Sequence, residues 1–539
     1  MIAPTVADIV RRTTRPLPGP STRQTRAAAE LPRAAAGRGA MRRGVRWTAP
    51  SQVLVQVLRI LTTLVLARLL APSDFGLVAL VTVVTGFFER VLGDTGTTSA
   101  LVQRERLTQG LASSVLFWNL LVGATTTTAF VVLAAPIAQL LGDDAATGIV
   151  RVLGCMAVVN AAMYVPTALM RRNLQFRRLA VINTVNVFTT MAASIGLAVA
   201  GLGAWGLAVG NVTGSVVAVV VTWVWSDWRP MLRFARADLS EIAGFSARLS
   251  FQNLFGYFAF AGDRLLVGRF LGVADLGYYG MANRLLRYPL ATTAQTYRDV
   301  VFPNLARLQG DDERMLDTYR RTLGAITLVL MPLCFTIAAV ADPLVRAVLG
   351  AKWVPAIPVV ALIAVVGGLQ ALATTTGSLY LAKGRADLSL RWSMGSSAFL
   401  MVCYGIGTLW GVTGVAAGFL AGIVLLLYPA FRIPLALIGA RPSDLAGSVL
   451  PPALCAVAGA GAAYGTVEAF GAAGQSDAVR LTAGVLVSLA VTLNLLLLVR
   501  PGALHDLLGL TLTHRRARVA AGGQDGHEGQ DRHDTGGRR

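Results

Sequence analysis

Residues 171–206 read RRNLQFRRLAVINTVNVFTTMAASIGLAVAGLGAWG. Arg171, Arg172, Arg177 and Arg178 stand ahead of residues 181–200, a run without one charged side chain. About 20 such residues carry an α-helix across roughly 30 Å of hydrocarbon. The run ends at residues 201–204, a gap with no basic group, and another apolar run starts at once. A hairpin of this kind belongs in a membrane, with its arginines on the cytoplasmic side.

The same alternation fills the chain. Apolar segments fall at about 47–70, 76–101, 111–134, 148–170, 178–200, 205–226, 247–271, 277–300, 321–341, 355–381, 389–410, 413–433, 446–466 and 480–499. That predicts an all-α polytopic membrane protein of about 14 transmembrane helices. Basic gaps carry Arg104 and Arg106, Arg229, Arg233 and Arg236, then Arg307, Arg314, Arg320 and Arg321, then Lys383, Arg385 and Arg391, then Arg432 and Arg441. The gaps between them are short and poor in arginine, except residues 342–355 with Arg346 and Lys352. Both termini are therefore expected in the cytoplasm of a bacterial inner membrane, with odd-numbered helices running outward.

Composition agrees. Of 539 residues 54% are apolar and only 14% charged, against about 25% charged in soluble domains; mean hydropathy is +0.60. The net charge of +20 is nearly all arginine, since Lys352 and Lys383 are the only lysines. Because the arginines sit in short gaps between membrane segments, they set topology and do not form a nucleic-acid footprint. Cys155, Cys334, Cys403 and Cys455 lie apart in apolar runs and read as small buried hydrophobes. All four histidines, from His505 on, follow the last apolar segment, so no imidazole metal site or proton relay is expected in the bundle. No metal and no cofactor is expected.

Residues 1–44 are expected to be a disordered basic cytoplasmic N-terminus, with Met41 a usable alternative start. Residues 45–236 are expected to form an N-lobe of helices 1–6, 237–440 a C-lobe of helices 7–12, 441–500 helices 13 and 14, and 501–539 a polar cytoplasmic tail.

The two lobes are repeats. Ala67-Arg68-Leu69-Leu70 leads to Phe75-Gly76, and Gly268-Arg269-Phe270-Leu271 leads to Leu276-Gly277, 201 residues later. Pro136 ahead of Gly142 matches Pro343 ahead of Gly350, and residues 203–208 match 411–416. Six helices per copy is an even number, so the copies enter the membrane in the same sense. Parallel repeats of this kind place substrate between the lobes.

Charged groups inside lipid cost about 2.5–3.5 kcal/mol on insertion scales and so face a cavity or a partner. Arg59 lies near the centre of the first segment, on a stripe with Gln52, Gln56 and Thr63 at intervals of three and four. Its alternative is a buried ion pair. Glu89, Arg90 and Asp94 share the second segment; Arg90 and Asp94 are spaced for an in-helix pair, which leaves Glu89 to pair with Arg59 or to exchange protons. Gln252, Asn253, Asp263 and Arg264 lie on the seventh. With no histidine present, ion coupling falls to Glu89, Asp94, Asp263 or Asp299. Asn283, Arg284 and Arg287 lie on the eighth, where two guanidiniums one turn apart suit a diphosphate. Pro166, Pro289 and Pro332 are expected to bend their helices. The threonines at 125–128 and 374–376 are expected to bond their own backbone.

The paired Arg–Gly junctions, with Phe75-Gly76-Leu77-Val78-Ala79, Gly96 and Ser99-Ala100-Leu101-Val102-Gln103-Arg104, resemble the polysaccharide-exporter, Wzx-type flippases. These belong to the superfamily that also holds the multidrug/toxin extruders and the lipid II flippases. The resemblance covers about residues 45–440. It implies a cavity between two six-helix lobes and transfer of undecaprenyl-diphosphate-linked oligosaccharide from the inner to the outer leaflet. It also implies cavity cations for the diphosphate, with Arg59, Arg284 and Arg287 the nearest candidates and Gln52, Gln56, Asn253 and Asn283 beside them. Partners would be the lipid-linked oligosaccharide, membrane lipid, and a glycan polymerase or glycosyltransferases, with no nucleic acid. The alternatives are a multidrug/toxin-type drug or cation antiporter, for which a mainly acidic cavity is expected, and a lipid II flippase. An enzyme is not expected, because no outer gap is long enough to carry a nucleophile and its base.

Overall fold

The computed structural model describes residues 38–90, 97–104, 106–232, 234–235, 257, 261–296 and 302–499. Among them every regular element is a helix, and ten stretches are long and apolar enough to cross a bilayer. One of the ten, Ala386–Ala436, holds two helices joined at Gly411. The chain is an all-α, multi-pass membrane protein. The second expected segment is a shorter apolar helix, the seventh lies largely outside the described residues, and the eighth is a helix with more polar groups than its neighbours. Expectations for residues 1–37, all the histidines, Asp94, Asn253 and Asp299 also fall outside them.

Contacts divide the chain into two compact units, Met1–Gly277 and Tyr278–Arg539. The first holds α1 (Arg38–Leu69), α2 (Pro72–Phe88), α3 (Thr97–Gln103), α4 (Gln109–Val132), α5 (Ala134–Leu141), α6 (Ala146–Gly154), α7 (Met156–Arg172), α8 (Phe176–Val199) and α9 (Ala204–Trp225). Residues 261–270 are helical, and the first turn of α10 (Val273–Thr296) closes the unit.

Local chemistry sets these boundaries. Pro72 opens α2, where its missing N–H costs nothing. The Asp74 carboxylate then accepts from the Ala71 N–H at 2.9 Å and from the Ala204 N–H at 3.0 Å. One side chain thereby serves the N-termini of α2 and α9, and both helix dipoles favour its charge. Asp74→Ala should lower stability by about 1.5 kcal/mol, measured by thermal unfolding in detergent, whereas Asp74→Asn should lose less. Thr108 caps α4 by accepting from the Leu111 N–H at 3.2 Å. Arg172 is buried and donates to the Leu101 carbonyl at 3.2 Å and to that of Arg104, so it closes the end of α3 rather than merely marking topology.

Small residues let neighbouring helices touch. Gly210 and Gly214 on α9 face Ser194 and Thr190 on α8, leaving no room for a Cβ. A closer approach occurs at the junction motifs. A Cβ on Gly76 would fall on the Val273 carbonyl, and one on Gly277 would fall on the Pro72 carbonyl. Residues 72 and 273, like 76 and 277, are 201 apart, so the two copies of the motif grip each other reciprocally.

The second unit contains the rest of α10, α11 (Phe302–Arg307), α12 (Asp312–Ala339) and α13 (Ala341–Leu344). A π-turn at Val345–Leu349 and a 3-10 turn at Ala351–Ala356 lead to α14 (Ile357–Ala373) and α15 (Thr376–Ala382). It ends with α16 (Ala386–Gly407), α17 (Gly411–Ala436), α18 (Ser443–Ala472) and α19 (Asp477–Val499). Its turns repeat those of the first unit. The Gln175 N–H reaches the Met170 carbonyl at 2.9 Å, and the Arg385 N–H reaches Tyr380 at 2.8 Å. Both turns use the left-handed region, at Leu174 (φ 55°) and Gly384 (φ 67°). Leu174 carries a Cβ there, at a cost of about 1–2 kcal/mol that Gly384 avoids. The exceptional Arg346 is explained as well: its Nε lies 2.7 Å from Asp342, so its charge is offset within the same turn.

Candidate functional site

The first unit contains a polar cluster within the bundle. Glu89 follows α2 directly and is half-buried. Its Oε1 accepts from Asn160 Nδ2 and, at 3.5 Å, from the Tyr164 hydroxyl. Asn160 and Tyr164 are four apart on α7 and share a face. Asn160 lies twelve residues from Arg172, roughly 18 Å along the axis, which places the cluster deep in the hydrocarbon. Glu89 thus takes its hydrogen bonds from neutral donors on α7 rather than from Arg59.

Aromatic rings frame the carboxylate. Phe88 meets Phe130 edge to face at 5.2 Å, and Phe87 meets Tyr257 at 5.7 Å. The Tyr257 hydroxyl donates to the Val83 carbonyl at 2.6 Å. Beside Phe88 is an apolar cavity of about 250 Å³ lined by Thr125, Thr126, Ala129, Phe130, Leu133 and Ile137. It sits at the bend between α4 and α5, where Leu133 leaves helical geometry (φ −90°, ψ 11°).

Pro166, Pro289 and Pro332 each lie within an unbroken helix, whereas the breaks at Leu133 and Val340 come three residues ahead of Pro136 and Pro343. Pro166 stays within α7. Proline deprives the carbonyl four residues earlier of its donor, and here the Trp223 indole N–H from α9 donates to that carbonyl, Ala162, at 3.1 Å. The break comes earlier, at Cys155 between α6 and α7. There the Thr127 hydroxyl from α4 donates to the Gly154 carbonyl at 2.9 Å and accepts from the Val158 N–H at 3.3 Å. Thr125, by contrast, bonds its own helix at Leu121 and Val122, as do Thr374, Thr375 and Thr376 at theirs.

The other sequence candidates lie on different helices. Arg59 is exposed on α1 with no ion pair among the described residues, and Thr63 bonds its backbone carbonyl at 2.9 Å. Gln52 is exposed, and Gln56 is half-buried with its Nε2 unsatisfied. Asp263 is half-buried and accepts from the Arg264 N–H at 2.8 Å. In the second unit Asn283 donates to its own helix at Tyr279 (3.0 Å), and Arg284 is half-buried and engaged. The side chain of Arg287 lies outside the described residues. No group of three metal-ligating side chains occurs among the described residues. Sequence reasoning missed Thr127, Asn160 and Tyr164. A lone asparagine in the apolar run 156–165 was the available signal for the last two.

Residues 65–358, more than half the chain, match the family described as polysaccharide biosynthesis protein. The chain belongs to that family. It is 26% identical over 352 residues to the succinoglycan biosynthesis transport protein ExoT of Rhizobium meliloti, covering 65% of this chain and 71% of that one. It is 26% identical to the lipopolysaccharide biosynthesis protein WzxC of Escherichia coli, covering 70% and 77%. It is also 26% identical to the teichuronic acid biosynthesis protein TuaB of Bacillus subtilis, covering 67% and 74%. Among solved structures the fold is similar to a lipid II flippase, MurJ, in an inward closed conformation, with a TM-score of 0.70 and 13% identity over 85% of this chain and 99% of that one. An inward-facing multidrug resistance MATE family transporter of the MOP superfamily gives 0.57, with 18% identity over 72% of this chain and 94% of that one. At such identities these two establish for this family member the fold alone.

Proposed function

We propose that this protein is a flippase, not an enzyme, that moves a lipid-diphosphate-linked oligosaccharide from the inner to the outer leaflet of a bacterial cytoplasmic membrane by alternating access. The observation that carries the reading is the match to a succinoglycan biosynthesis transport protein over 65% of the chain and to a lipopolysaccharide biosynthesis protein over 70%. Head-group binding falls to Arg59, whose guanidinium is exposed on a membrane helix, and to Arg284 and Arg287 on α10, with Gln52, Gln56, Asn253 and Asn283 beside them. An exposed arginine at that depth is too costly to leave against acyl chains, which supports a role toward a wet cavity or an anionic ligand. Among Glu89, Asp94 and Asp263 we assign ion coupling to Glu89, because its carboxylate is deep and held by neutral donors. Both termini are assigned to the cytoplasm, and a glycan polymerase or glycosyltransferases are the expected partners.

The reading is tested with purified protein in proteoliposomes that contain a fluorescent undecaprenyl-diphosphate oligosaccharide. Lectin capture at the far leaflet should require the protein. Arg59→Gln should slow it about tenfold, equivalent to 1.4 kcal/mol, with an unchanged melting temperature. Capture that proceeds equally in protein-free vesicles refutes the flippase reading; full activity in Arg59→Gln removes that residue from the head-group site.

A further inference from the structure

The hydroxyl of Thr127 occupies a place that a helix normally fills by itself. In a continuous helix the Val158 N–H would donate to the Gly154 carbonyl, four residues back. Here both groups turn to Thr127 Oγ1, one as donor and one as acceptor. A hydroxyl can do both at once, so neither backbone group is left unsatisfied in a medium without water. The approach is built into α4. A Cβ on Gly123, one turn before Thr127, would strike Ala157, Val158 and Ala161, and Phe130 packs against Gly154. Gly123, Thr127 and Phe130 therefore form one stripe, pressed against a single face of α6 and α7.

Asn160 and Tyr164 border that same face, since Ala157, Asn160, Ala161 and Tyr164 stand at i, i+3, i+4 and i+7. At about 100° per residue Tyr164 is roughly 20°, and Asn160 roughly 60°, round from Ala157. A group inserted into one face opens that face and tips the following segment away from it. The opening at 154–158 thus sets the tilt and rotation with which α7 continues, and Asn160 and Tyr164, two and six residues beyond Val158, meet Glu89 in that orientation.

We propose that Thr127 is a positioning residue for Glu89: its hydroxyl holds α6 and α7 in the broken form and so presents Asn160 and Tyr164 to the carboxylate. With the hydroxyl removed, the Gly154–Val158 bond closes, the helix straightens, and the two donors withdraw. The inference rests on the assignment of ion coupling to Glu89 only for its consequence in transport, not for its geometry.

The test separates the two. In reconstituted full-length protein, the infrared carboxyl band of Glu89 is identified as the band that Glu89→Gln abolishes. Thr127→Val, which keeps the shape and loses the hydroxyl, should shift that band and slow flipping about tenfold. Thr127→Ser should leave the band in place and restore flipping to within twofold of wild type. Thr127→Ala gives the same reading should valine not fold. An unmoved band in both hydroxyl-free variants overturns the proposal. A shifted band that serine restores upholds it, even where Glu89→Gln flips at the wild-type rate; that last result overturns only the coupling role of Glu89.

Discussion

Gly76→Leu, and separately Gly277→Leu, will strip most of the folded protein from the membrane. The Cβ alone would land on backbone in each case: on the Val273 carbonyl and the Gly277 nitrogen for the first, on the Pro72 carbonyl for the second. A flexible side chain opposite could swing away, but backbone held in helical hydrogen bonds cannot. Overpacking usually costs about 1–3 kcal/mol, and a collision with backbone on both sides belongs at or beyond the upper end. Against a total stability of roughly 5–15 kcal/mol, about 3 kcal/mol or more shows as loss of the monodisperse peak on gel filtration and faster proteolysis in membranes. Alanine should be milder at neither position, since the conflict arises at Cβ. By contrast Gly196→Ala, with open space around its Cβ, should be silent or slightly stabilising. Normal accumulation of Gly76→Leu would mean that the two motifs do not touch in the membrane.

The two motifs were the clearest repeat in the sequence, and their backbone contact explains why glycine occupies both. The pattern was legible because it is one of spacing, and spacing survives where side chains drift. The helical turns followed the same rule: Gly203 and Gly411, 208 residues apart, both hold positive φ (51° and 72°). The polar cluster was legible in half. Glu89 stood out because a carboxylate inside an apolar run is costly wherever it points. Its partners did not, because α2 and α7 are joined only by tertiary packing, and no interval within the sequence predicts that Asn160 lies opposite.

The helix breaks were the least legible feature. Proline was the expected mark, yet Pro166 is neutralised by Trp223 from a helix 57 residues on, while the break at Cys155 follows Gly154 and has no proline nearer than Pro166. What opens the helix is a hydroxyl from α4, and a four-threonine run gives no clue to which member turns outward from its own backbone. Propensity describes a helix alone; here neighbouring helices supplied the missing donor at one site and the competing one at the other.

Arg480→Leu will destabilise the second unit by about 2 kcal/mol, the larger of the effects expected from a charged side chain in this protein. Arg480 is 15% exposed at the start of α19, where it lies 3.0 Å from Asp342 and 3.0 Å from Asp477. Its Nε also donates to the Val467 carbonyl of α18 at 3.3 Å. One guanidinium thus ties α18 and α19 to the helix turn that follows α12, above the Thr336–Ser488 hydrogen bond (2.6 Å) and the packing of Val340 with Ala463 and Val467. Removing it leaves Asp477 without its ion pair among the described residues and Asp342 with Arg346 alone. Breaking a fully buried pair costs about 3–5 kcal/mol, and the partial exposure of both aspartates, 32% and 36%, reduces that figure through solvent screening. Leucine keeps apolar bulk against Gly471, so the loss reports charge and hydrogen bonding rather than a cavity. Arg480→Lys should recover less than half, because a point charge cannot hold two carboxylates and a carbonyl in a planar fork. Asp342→Asn should cost less than Arg480→Leu, since it removes one partner and keeps Asp477 paired. Thermal unfolding in detergent orders the three variants, and an Arg480→Leu protein as stable as wild type would show that helix packing alone holds α18 and α19 in place.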